Sequence, residues 1–168
     1  MQASVALLTA LTLLGVARPA EAVDILRQEV RMAVRDCQGA LPSFEGAIRK
    51  RPLAVQNEGA QIAFVTCGME GNNTGVANTS NIFVILRNTG ASTQTVGCTL
   101  IDGGLDVNTP AFFPKSVAVP VGPDATFISW NTNDNGGNKF LYPAISCALP
   151  PGVGISATER TYTEDIGS

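Results

Sequence analysis

Histidine is absent from this chain, which removes imidazole general bases, Ser-His-Asp and Cys-His nucleophile systems and every histidine metal site. Charge is scarce. Only 15% of the 168 residues are charged, against about 25% in an average soluble domain. The net charge of −3 argues against a nucleic-acid partner. Aromatics make up 6%, with one Trp and two Tyr, so few rings are on hand for stacking a sugar. No two cysteines are spaced C-x-x-C, which counts against a zinc knuckle and against a dithiol redox motif. No S-x-x-K is present to build a serine nucleophile beside Lys115 or Lys139. The composition implies no cofactor, and it points away from an enzyme.

The chain has a hydrophobic fraction of 45%, which is enough for one real core, and a length that fits one domain. Met1 to Ala17 carries no charged side chain, and Val5 to Ala17 is apolar and helix-forming. That run matches a signal-peptide core and is short of the ~20 residues that span a bilayer. Ala20-Glu21-Ala22 supplies the small-x-small pattern of a signal peptidase site, although no Lys or Arg precedes the apolar run. The expected division is a signal peptide over 1–22, an N-terminal helix and connector over 23–55, and a β-sandwich over 56–168. The mature form then has no stable membrane span and is secreted, periplasmic or held at the cell surface.

In that compartment the even set Cys37, Cys67, Cys98 and Cys147 reads as two disulfides. Cys98 and Cys147 lie on apolar faces, in Val96-x-Cys98-x-Leu100 and Ile145-x-Cys147-x-Leu149. We therefore pair them with each other, which leaves Cys37 for Cys67, although four cysteines allow three connectivities.

Composition shifts near residue 56. Residues 23–55 hold six basic and four acidic side chains, and the much longer remainder holds four and nine. Ile25, Leu26, Val30, Ala33, Val34 and Cys37 recur at helical spacing, which predicts an amphipathic helix over Asp24 to Asp36, with Asp24 as N-cap and Gly39 as stop. Residues 38–60, with Pro42, Gly46, Pro52 and Gly59, read as a connector, and Arg49-Lys50-Arg51 as a solvated loop.

From residue 61 onward, short strands alternate with turn signals. The expected strands are Gln61–Cys67, Asn81–Arg87, Gln94–Ile101, Lys115–Val121, Ala125–Trp130, Leu141–Leu149 and Ser156–Tyr162. Ile82 to Leu86 reads as a central strand buried on both faces, and Pro120 marks an edge strand or bulge. No helical pattern separates these strands. The fold class is mainly β: an antiparallel two-sheet sandwich of immunoglobulin-like kind, disulfide-stapled, with a short N-terminal helix.

Asn131-Thr132-Asn133-Asp134-Asn135-Gly136 follows the unique Trp130 and matches the start of a calcium loop. Only Asp134 is charged, it is off register, and Tyr142 replaces the bidentate Glu, so a polar turn is the better reading and no metal is assigned. Trp130, Asn131, Asn133, Asp134 and Asn135 remain a candidate ligand loop. Asp102 with Asp106, and Glu164 with Asp165, are the carboxylate pairs that a glycosidase would need, and turn or tail solvation accounts for them. Asn72-Asn73-Thr74 and Asn78-Thr79-Ser80 are formal glycosylation sequons.

The function expected from these residues is a non-enzymatic structural or interaction domain, for example a cell-surface or extracellular assembly subunit. Its partner would be a protein or a neutral glycan, and self-association through a sheet edge is compatible with the pattern. The alternatives are a carbohydrate-binding module and a carboxylate-dependent hydrolase. The exported protein is expected to begin at Val23, which N-terminal sequencing or intact mass checks directly.

Overall fold

The computed structural model describes residues 23–70, 76–103 and 109–167. The expected leader, the first sequon and Asp106 lie outside them. Alternating apolar residues favour strands buried on one face, and eleven strands form among the described residues. They are β1 (Asp24–Met32), β2 (Cys37–Gly39), β3 (Ile48–Arg51), β4 (Ala54–Asn57), β5 (Ala63–Gly68), β6 (Thr79–Asn88), β7 (Gln94–Asp102), β8 (Ala111–Val119), β9 (Gly122–Asn131), β10 (Pro143–Leu149) and β11 (Val153–Asp165). Two single helical turns, α1 (Ala33–Asp36) and α2 (Pro42–Glu45), lie near the N-terminus. No helix among the described residues is long and apolar enough to cross a membrane.

The strands make a two-sheet antiparallel sandwich. One sheet runs β3-β4-β11-β6-β9, with β1 added beside β11, and the other runs β2-β5-β10-β7-β8. The long β11 pairs with β6 along one edge. Its other edge is shared by β4, at Gly154 and Ile155, and β1, from Ala157 to Asp165. Between the sheets lie Trp130, Phe140, Ile82, Leu86, Leu100 and Ile145, all fully buried.

Three expectations are corrected. Asp24 to Met32 is not helix but a nine-residue strand, and the predicted helix shrinks to the single turn α1. Ile25, Arg27, Glu29 and Arg31 alternate with Leu26, Gln28, Val30 and Met32, so the segment also fits a period of two; pairing with β11 decides between the two periods. The connector contains β2, α2, β3 and β4, and Arg49-Lys50-Arg51 lies on the edge strand β3. In β6, Ile82, Val84 and Leu86 are fully buried while Phe83 and Ile85 are half-exposed, so one face of that strand looks outward. The edge position expected for the strand that ends near Pro120 holds: β8 closes its sheet.

Two buried asparagines turn the chain from one sheet to the other by the same device. Asn57 Oδ1 accepts from Gly59 N, and its Nδ2 donates to the carbonyls of Gln61 and Leu149. Asn88 Oδ1 accepts from Gly90 N, and its Nδ2 donates to Ser92 and Val119. These bonds satisfy carbonyls that would otherwise be orphaned where strands end. Gly152 turns β10 into β11 at φ +82°, and a Cβ there would come within 2.7 Å of Gly90. Only glycine fits both conditions.

Both disulfides join residues directly opposite each other on neighbouring antiparallel strands. Cys37 pairs with Cys67 across β2 and β5, and Cys98 with Cys147 across β7 and β10. All four are buried on the inner face. Replacing Cys98 and Cys147 together with alanine is expected to cost about 4 kcal/mol on the loop-entropy model, measured by denaturant unfolding.

Candidate functional site

The candidate ligand loop is a capped turn. Asn131 Oδ1 accepts from Asn133 N at 2.9 Å, and Asp134 Oδ2 accepts from Asn131 N at 2.8 Å, which closes a capping box on the 3-10 turn Thr132–Asn135. Gly136 and Gly137 supply the positive φ, and no Asn does. Lys115 bonds Asp134 at 2.8 Å and also reaches the Ser129 carbonyl. The Asp134 carboxyl sits below the usual carboxylate range, chiefly through the Lys115 hydrogen bond and against some burial. Asn135 Nδ2 lies 3.4 Å from the Lys139 carbonyl. Trp130 is fully buried, and its indole Nε1 donates to the Phe113 carbonyl at 2.7 Å. No ring is therefore presented to solvent at that position. No cluster of three acidic or cysteine ligands for a metal exists among the described residues.

The other sequence candidates separate as well. Asp102 Oδ1 accepts from Leu141 N and Tyr142 N. Glu164 pairs with Arg27 at 2.8 Å, and Asp165 accepts from Gly167 N. Asn78 Nδ2 donates to the Thr163 carbonyl beside a buried Thr79, so this sequon is held in the sheet rather than in a free loop. The disulfides apart, the structure brings Asn131, Asn133 and Asp134 together and leaves the other described candidates in structural bonds.

Sequence reasoning missed a charged cluster where β1 meets β11. Arg160 is buried and bonds Glu29 at 2.7 Å and the Glu70 carbonyl, and its guanidinium stacks over Tyr162 at 4.4 Å. Arg31 bonds Glu29 at 2.5 Å and Glu70 at 2.6 Å. Burial raises the pKa of Glu29, but hydrogen bonds from Arg31 and Arg160 outweigh it, and the net shift is downward. The Arg31 hydrogen bond lowers Glu70. The cluster's charges face one another, which fits a clamp better than an acid–base site. The sequence signal for it was the alternation of Arg27, Glu29 and Arg31.

Two sheet faces look outward. On the six-stranded sheet a row crosses four neighbouring strands in register: Phe127, Ile85, Ala157, Met32. The next row is Ser129, Phe83, Glu159, Val30. Phe127 and Val30 are 56% and 57% exposed. On the five-stranded sheet, Phe64 and the 60%-exposed Phe112 stand at opposite corners of a floor of small residues that includes Ala144, Ser146, Ala148, Gly97 and Thr99. A shallow open depression of about 300 Å³ lies there, against Gly97, Thr99, Pro114 and Ser116.

No family profile matches the sequence, and no curated protein matches it either. Solved structures do overlap it at low similarity. One, described as "CBM4 structure and function", is 12% identical at a TM-score of 0.36, covering 70% of this chain and 84% of that one. A second concerns the promiscuous specificity of carbohydrate-binding modules from the β-sandwich superfamily. It is 14% identical at a TM-score of 0.37, covering 81% of this chain and 54% of that one. A third, of infectious bursal disease virus Gt strain, is 11% identical at 0.36, covering 94% of this chain and 36% of that one. These values assign no ligand to this chain.

The charged cluster has a pH signature. Glu29 and Glu70 are depressed, so their contribution is present above the free glutamate value of about 4.3 and is lost as pH falls below it. Glu29→Gln is expected to cost about 3 kcal/mol at neutral pH, because Arg160 stays buried without its carboxylate, and to cost less at pH 3. Denaturant unfolding at the two pH values checks both parts.

Proposed function

We propose that the chain is an exported, non-enzymatic interaction domain. Its leader over 1–22 is removed, and it meets a protein partner through the outer face of the six-stranded sheet. The observation that carries this reading is the apolar row Phe127, Ile85 and Met32, joined across the buried Ala157, with Phe83 and Val30 in the next row on either side of Glu159. Contiguous apolar area on a small domain costs solubility and commonly marks a contact surface. The two disulfides support an oxidising compartment. The lack of strong charge suits a partner recognised by shape and apolar contact rather than by steering.

A neutral glycan on the five-stranded sheet is the second reading. It is favoured by one observation: Phe64 and Phe112 flank a floor that carries the hydroxyls of Thr66, Ser146 and Thr99. Exposed ring faces stack on the apolar faces of sugars, and hydroxyls bond their edges.

The exported fraction of the native host, passed over the immobilised domain, tests the two readings together. Wild-type protein is expected to retain a protein that Phe127→Ser combined with Met32→Ser no longer retains. The substituted side chains are exposed, so stability stays within about 0.5 kcal/mol. Retention unchanged by this pair removes the first reading. Glycan-array binding lost on Phe112→Ser but kept by the Phe127/Met32 pair would establish the second instead.

A further inference from the structure

We propose that β1 pairs antiparallel with β1 of a second copy of this chain, about a two-fold axis at Gln28, joining two six-stranded sheets into one. This deepens the interaction-domain reading: it shares Val30 with the proposed contact face and adds Leu26 and the outer edge of the strand.

The edge is open. Ile166 N donates to Val23 O, which makes Val23 and Ile166 a hydrogen-bonded pair in the β1–β11 register. In an antiparallel ladder such pairs alternate. Residues 25, 27, 29 and 31 therefore spend their backbone groups on β11, and those of Asp24, Leu26, Gln28, Val30 and Met32 point away from the sheet. A row of unpaired N–H and C=O groups is a template for another strand.

The other edges are short, basic, broken by proline or partly occupied, whereas β1 is long and regular and its inward charges are of both signs. β2 has three residues, and β3 has four, three of them basic. β8 carries Pro114 and Lys115. On β9 the Ser129 carbonyl is occupied by Lys115. β1 runs nine residues with no register shift, proline, glycine or lysine.

The strand complements itself. With the axis at Gln28, Arg27 faces Glu29 of the partner subunit, Leu26 faces Val30 of the partner subunit, and Gln28 faces Gln28 of the partner subunit. Each pairing except the central one occurs twice. Leu26 and Val30, 68% and 57% exposed, are covered on the outer face. Arg27 and Glu29 join on the inner side, beside Glu164 and Arg160, which they already touch. Sliding the register by two residues sets Arg27 against Arg27 of the partner subunit in one direction, and Glu29 against Glu29 of the partner subunit in the other. Like charges directly opposite are destabilising, so only one register is matched in charge over the full length.

Sedimentation of the exported protein is expected to give twice the monomer mass. Leu26→Lys with Val30→Lys should return it to the monomer with an unchanged circular dichroism spectrum, since both side chains are exposed. Gln28→Cys reads the register itself. Hydrogen-bonded partners sit about 5.5 Å apart at Cα, inside the disulfide range of roughly 4.4–6.8 Å, so mild oxidation should give a covalent dimer. Leu26→Cys would lie four residues from its own copy, roughly 14 Å away, and should not cross-link. Peptide mapping confirms that Cys37–Cys67 and Cys98–Cys147 are kept. A monomer at all concentrations, a dimer indifferent to the lysines, or cross-linking of Leu26→Cys in place of Gln28→Cys overturns the proposal. A monomer that still captures its partner through Phe127 would leave the interaction-domain reading standing, and a dimer that captures nothing would leave only the pairing.

Discussion

Burial of Arg160 in β11 sets conditions that much of the N-terminal half meets. A guanidinium withdrawn from water is tolerable only with charge and hydrogen bonds around it. Glu29 supplies the charge, the Glu70 carbonyl a further acceptor, and Tyr162 a ring face. Glu29 can do so only if β1 lies along β11. Once β1 is there, α1 has to carry the chain across to the other sheet, where β2 pairs with β5 and Cys37 meets Cys67. One buried cation on the last strand thus ties the first strand to one sheet, and the disulfide ties the next strand to the other. The N-terminal segment spans the sandwich instead of sitting on it.

The two sheets are also joined by polar groups at their margins. Asn57 and Asn88 hold the crossings from β4 to β5 and from β6 to β7, each binding a far carbonyl as well as its own turn. Lys115 and the Trp130 indole bridge β8 and β9, the hairpin whose strands belong to different sheets. A sandwich whose margins depended on apolar contact alone would leave strand-end carbonyls without donors. Here side-chain amides, an indole and an ammonium supply them.

The β-rich part was legible because its apolar residues alternate and its turns carry Gly, Pro and Asn. The same alternation placed Cys98 and Cys147 on a common face, and elimination left Cys37 with Cys67. Asp24 to Met32 misled for a physical reason: Leu26, Val30 and Met32 face solvent while Arg27, Glu29 and Arg31 face inward. Hydrophobic periodicity assumes the reverse, and the ion pairs that invert it come from Glu70 and Arg160, remote in sequence. The asparagine corners left a trace that was not read. Asn57-x-Gly59 precedes Cys67 by ten residues from its Asn, and Asn88-x-Gly90 precedes Cys98 by the same interval. Trp130 adjoins a polar loop, and strand alternation sends it inward beside Ile128, the core position that a lone Trp in a sandwich usually takes.

The distribution of polar groups bears on function more than any single residue does. Asp102, Asp134, Glu29, Glu164 and Lys115 each hold a turn, a strand or a sheet margin. Asp134, held by the Lys115 ammonium and the Asn131 N–H, is favoured in its ionised form. Beside these held groups, the outward faces of the described residues present Phe127, Met32, Val30 and Phe112, and β1 presents its outer edge. Groups of that kind associate by area and by main-chain hydrogen bonding, and that is the property on which the proposed function rests.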